Sequence, residues 1–154
     1  MSRFGYDPEY DTDYGSKEFQ AAVWDRNYAR SLRGRKGQAA LRELRDALRA
    51  LSPRRLIEGF CETTIDDDGN EVISGVCAIG AMYVARGLPV DNYMQSEDFS
   101  SWDTADVGES MGMSNTMAFG IAYRNDETYS DLTPESRWWA MYAWVLQQIR
   151  EVQG

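Results

Sequence analysis

A chain of 154 residues with 43% hydrophobic content and five tryptophans is long and apolar enough for one domain with a real core, which excludes intrinsic disorder. It has no histidine, which removes the commonest general base, the commonest metal ligand and every Ser-His or Cys-His catalytic pair. The net charge of -9 hides a division: residues 1–25 sum to -4, residues 26–55 to +8 and residues 56–154 to -13, so a basic block sits inside an acidic frame.

Residues 1–15 contain Tyr6, Asp7, Tyr10, Asp11, Asp13 and Tyr14 among Gly and Pro breaks and read as a flexible N-terminal arm ahead of one globular domain over 16–154. No apolar run approaches the length of a membrane span, and the first residues lack a signal-peptide core. Ser16 is a good N-cap with Glu18 in the first turn, and Ala21, Trp24, Tyr28 and Leu32 mark the buried stripe of a first helix. After Gly34-Arg35-Lys36-Gly37, a second helix carries Ala40, Leu41, Leu44, Ala47, Leu48 and Leu51 on one face. Arg42, Arg45, Asp46 and Arg49 lie on the other, with Arg42 and Asp46 spaced for an i,i+4 pair. Ser52-Pro53 ends it, and Pro53 suits the first position of another helical turn.

Asp68-Gly69 predicts a β-hairpin that pairs Ile65 with Val72, Thr63 with Ser74 and Cys61 with Val76. Cys61 and Cys77 are then not opposed, and both read as reduced thiols. The hairpin leads into Val76–Gly87, a segment apolar on almost every side, which predicts a helix at the centre of the fold. Its small residues Cys77, Gly80, Ala81 and Ala85 let another element approach closely, and Gly87 followed by Pro89 stops it. Residues 88–112 read as acidic and irregular, with Ser96-Glu97-Asp98 as a cap. Ser114 caps a helix carrying Met117, Ile121 and Tyr123. Thr133-Pro134-Glu135 opens a last helix with Trp138, Met141, Tyr142, Val145, Ile149 and Val152 as its stripe, the expected packing surface for the central helix.

Four constellations bear on function. The basic residues from Arg26 to Arg55, above all Arg35, Lys36, Arg42, Arg45 and Arg49, could grip phosphates, or could simply neutralise the protein's own acids. Val107–Met117 echoes a helix-turn-helix corner, but no basic residue follows before Arg124, which disfavours DNA reading. Asp66–Glu71 imitates a calcium loop but puts Gly75 where a bidentate glutamate is required. Cys77 with Asn125, Asp126 and Glu127 resembles a reactive thiol beside acids. Without a histidine to activate it, Cys77 reads as structural, and Asn125-Asp126 as a cap tied to neighbouring backbone. No cofactor or metal is expected.

The combination of Gly37-Gln38-Ala39-Ala40-Leu41-Arg42-Glu43-Leu44, Val76-Cys77-Ala78-Ile79-Gly80-Ala81, Tyr123-Arg124-Asn125-Asp126-Glu127 and Thr133-Pro134-Glu135-Ser136-Arg137-Trp138 resembles an uncharacterised family of small acidic tailed-phage and prophage proteins. The resemblance spans about residues 25–150. It implies an accessory protein working in the bacterial host cytoplasm, and it carries over no catalytic residue. The N-terminal arm and the acidic hairpin tip depart from the pattern.

The expectation is a mainly α domain of five or six helices with one β-hairpin. The function expected is non-catalytic binding of a host protein, modulating host metabolism or defence, in one version as an acidic inhibitor. Two alternatives stand: nucleic-acid binding through residues 26–55, and a small enzyme using Cys77 or the Asn125/Asp126/Glu127 cluster. The oligomeric state, a dimer included, stays open.

Overall fold

The structure is a computed structural model and describes residues 16–150; the predicted N-terminal arm and Val152 lie outside the described residues. Among those residues the fold is mainly α, with six α-helices and one antiparallel hairpin. In order these are α1 (Lys17–Arg33), α2 (Arg35–Ala50), β1 (Cys61–Ile65), β2 (Glu71–Val76), α3 (Ala78–Ala85), α4 (Ser101–Ser110), α5 (Asn115–Tyr123) and α6 (Pro134–Gln148). A π-turn, Arg124–Thr128, continues α5. No described helix is long and apolar enough to cross a membrane.

The predicted caps hold at three helix starts. Ser16, Ser114 and Thr133 each accept the amide of the third residue beyond, as N-cap side chains do. The acidic stretch is more regular than its composition suggests. Ser100, four residues after the expected cap, forms a full capping box with Asp103 and starts the ten-residue α4. After the cis Ser52–Pro53 bond the chain runs irregularly to β1, with no helical turn at Pro53.

Two helices share the centre. Leu41, Leu44 and Leu48 of α2 and Ile79 and Met82 of α3 are wholly enclosed. α3 packs mainly on α2, α4 and α5, whereas α6 packs mainly on α2 and the π-turn rather than on α3 as expected. The reason lies in side-chain shape. Trp138 and Met141 are large and settle over α2, where the Trp138 indole N–H donates to the Leu48 carbonyl at 2.9 Å. The small face of α3 instead admits backbone. A Cβ on Gly80 would stand 2.6 Å from the Phe60 carbonyl, so glycine is what allows the hairpin's lead-in to cross there. Ala85 is exposed, so this small-residue line ends at Ala81.

The first helix departs from its predicted stripe. Leu32 is buried and Tyr28 half-buried, but Ala21 and Trp24 are exposed, because α1 meets α2 and α5 only along its second half. In the hairpin, Cys61 pairs with Val76 as expected, while Ile65 pairs with Glu71 and Thr63 with Ile73. The slip comes from the turn. Gly69 takes φ +85°, the Gly69 amide donates to the Asp66 carbonyl, and the Asp66 carboxylate accepts the amides of Asp68 and Asn70. That is a three-residue loop in place of the two-residue one, and an irregularity beside Glu62 restores the outer register. Asp66 is thereby spent on the turn, and Ile65 is left 66% exposed at the tip.

Candidate functional site

The π-turn brings Asn125 to the head of α3, as the two motifs suggested. Asn125 is fully buried. Its Oδ1 accepts the Ala78 amide at 3.1 Å, and its Nδ2 donates to the Ile57 carbonyl and to Asp126 Oδ1, both at 2.8 Å. Cys77 is the N-cap of α3, its Sγ accepting the Gly80 amide at 3.2 Å. Burial pushes the Cys77 thiol up to about 12, the Asp126 charge adds to the rise, and the amides of Gly80 and Ile79 at the helix end oppose it. A nucleophilic thiolate needs the opposite environment. Cys61 is also a buried free thiol.

Asp126 titrates well above the usual carboxylate range. Burial raises its carboxyl from 3.8 to about 6, against the Asn125 and Gly59 hydrogen bonds that lower it, and Glu58 and Glu127 add to the rise. Glu127 itself is exposed. Because the folded value lies above the unfolded one, the contribution of Asp126 is fully present below about pH 4 and is lost as pH rises through 6. Asp126→Asn keeps an acceptor for Asn125 and for the Gly59 amide without the charge. It is expected to stabilise the fold by about 2 kcal/mol at pH 7 and to flatten the fall in stability between pH 4 and 6. Urea unfolding across that range checks this; parallel curves for parent and variant would refute it.

The basic block divides in two. Arg42 turns away from Asp46 and donates to the carbonyls of Gln38 and Arg150, so the expected i,i+4 pair does not form. Asp46 pairs with Arg45 at 3.0 Å, and Arg49 donates to the Tyr142 hydroxyl at 2.6 Å. Arg54 covers Trp138, and Arg55 pairs with Glu135 at 3.3 Å. These residues are engaged with their own protein. Arg26, Arg30, Arg33, Arg35 and Lys36 are exposed and form no ion pair with any described residue. Among the described residues, positive charge without an ion-pair partner therefore lies on the second half of α1 and the first turn of α2, and also at Arg42 and Arg49, whose partners are uncharged; Arg45 alone of the three meets a carboxylate.

Two features had little sequence signal. Trp102 on α4 is 66% exposed and lies 4.6 Å from the Phe119 ring on α5, and Tyr123, one turn further along, is 53% exposed. Asp106 and Glu109 continue the Trp102 face of α4 and are exposed without an ion-pair partner among the described residues. The second is Arg137, a buried cation that donates to the carbonyls of Leu56, Leu132 and Tyr129. No group of three or more metal-ligating side chains occurs among the described residues. The chain matches no protein-family model, no curated protein and no solved structure.

Proposed function

We propose that this chain is a phage-type accessory protein that acts by binding a host protein. The observation that carries the reading is the α4–α5 face, where exposed Trp102 packs on half-buried Phe119, exposed Tyr123 follows one turn along α5, and Asp106 and Glu109 of α4 have no ion-pair partner among the described residues. Exposed aromatics grouped on one face are what interface hot spots are made of, and surrounding acids select a partner with a basic rim around an apolar pocket. The enzyme alternative is weakened because Cys77 is enclosed and Asn125 is committed to backbone groups. Immobilised protein is expected to retain a specific protein from host lysate, and the double change Trp102→Ala/Tyr123→Ala is expected to abolish retention without changing the unfolding midpoint. Retention undiminished in the double variant would sink the proposal, as would no specific protein recovered by the parent.

Arg26, Arg30, Arg33, Arg35 and Lys36, exposed and without an ion-pair partner among the described residues, favour a second reading, contact with nucleic-acid phosphates. Absence of any mobility shift of single- or double-stranded DNA or RNA at low salt would end it.

A further inference from the structure

A cleft of about 400 Å³ opens between α1, the π-turn and the end of α6. Arg33, Arg124 and Arg150 line it with Tyr28 and Trp144, and no carboxylate of a described residue does. None of the three arginines has an ion-pair partner among the described residues, although the sequence holds 25 acids against 16 basic residues. Like charges gathered in one cleft repel, and an anion joining them relieves that repulsion.

The geometry within the cleft suits one kind of anion. The Arg124 guanidinium lies 4.4 Å from the Trp144 ring centroid, and the Tyr28 ring is nearly parallel to Trp144 at 6.5 Å. Stacking fixes the guanidinium plane and leaves its N–H edge for in-plane acceptors, the arrangement that phosphate oxygens satisfy bidentately. Arg124 Nε and the Tyr28 hydroxyl are shielded from solvent and neither donor meets an acceptor, while the Arg124 side chain stands close enough to the Tyr28 oxygen to act on its titration. Burial raises the Tyr28 pKa against the charge and hydrogen bond of Arg124, which lower it, so the hydroxyl keeps its proton at neutral pH. Cleft volumes of this order accept small ligands, and aromatic walls beside arginines serve base stacking.

We propose that the Arg33–Arg124–Arg150 cleft binds a phosphate ester joined to an aromatic ring system, the chemistry of a nucleotide. The arginines take the phosphate and the Tyr28–Trp144 wall takes the base. This does not depend on the α4–α5 face. A free mononucleotide and the end of a single strand both present this chemistry, so both are tested.

The experiment is calorimetric titration at low salt with inorganic phosphate, adenosine monophosphate and a short single-stranded oligonucleotide, with the Trp144 indole resonance followed by NMR. Arg33→Glu and Arg150→Glu alter exposed side chains. The fixed role of Arg150 is played by its backbone, which bonds Gln38 and Arg42, so the fold survives the change. Adenosine monophosphate is expected to bind saturably, more tightly than phosphate, and to shift the Trp144 resonance. Each reversal should weaken it at least about ten-fold, while Arg26→Glu, outside the cleft, leaves it within about two-fold. Oligonucleotide binding that is stronger still and falls with Arg26→Glu identifies a strand reaching the cleft along α1; equal affinities identify the mononucleotide. No saturable binding of any probe at millimolar concentration overturns the proposal, as does binding that survives both reversals.

Discussion

Arg137→Ala is expected to lower stability by about 4 kcal/mol. The side chain is 4% exposed and works as a bracket between three segments. Nη1 donates to the Leu56 carbonyl at 2.7 Å, Nη2 to Leu132 at 3.0 Å and Nε to Tyr129 at 3.3 Å. Truncation leaves those carbonyls without their donor and opens a void beside the fully buried Trp138. The one carboxylate partner, Glu58, is 54% exposed and stands 3.3 Å away, so Glu58→Gln should cost well under about 1 kcal/mol. Lysine restores a charge but not the fork, and Arg137→Lys should recover less than half of the loss. The check is the urea midpoint at constant slope. An Arg137→Ala midpoint within about 0.5 kcal/mol of the parent would show that the carbonyls find water instead.

The contrast between Arg137 and Glu58 explains which parts of this fold were legible in the sequence. Helix starts were, because Ser16, Ser114 and Thr133 act on amides three residues away and need nothing distant. The meeting of Asn125 with the head of α3 was also legible, since a polar pair beside an apolar helix must spend its hydrogen bonds on nearby backbone. The fate of each arginine was not. Arg42 and Arg35 look alike in sequence, yet Arg42 reaches the carbonyl of Arg150 across 108 positions while Arg35 reaches no carboxylate of a described residue. Gln38 is hidden for the same reason: its amide donates to the Leu32 and Gln148 carbonyls and accepts the Arg150 amide, which joins both ends of the domain. The α6 partner escapes a sequence reading because a wide apolar stripe says that a helix is covered, not by what. Only the match of Trp138 to the Leu48 carbonyl decides that α2 covers it. The cleft of Arg33, Arg124 and Arg150 joins residues from three separate elements, and no local pattern announces it.

Asn125→Ala should cost about 3 kcal/mol, because it strands two backbone groups at once. The Ala78 amide at the head of α3 loses its acceptor, and the Ile57 carbonyl loses its donor, in a place where the side chain they shared is fully buried. Asn125→Asp separates the two halves of that role. The new carboxylate still accepts from Ala78 but cannot donate to Ile57 while ionised, and it adds a buried charge beside Asp126, whose own carboxyl burial already holds at about 6. Two adjacent buried carboxyls cannot both ionise cheaply, so protonation relieves the variant. The Asn125→Asp deficit should therefore match or exceed that of Asn125→Ala at pH 7 and shrink as pH falls to 5 by more than the alanine deficit, which shrinks only by the lost hydrogen bond to ionised Asp126. Unfolding both variants in urea at the two pH values separates the effects. An aspartate deficit independent of pH would mean that the junction admits water, and that the raised Asp126 carboxyl has a cause other than burial.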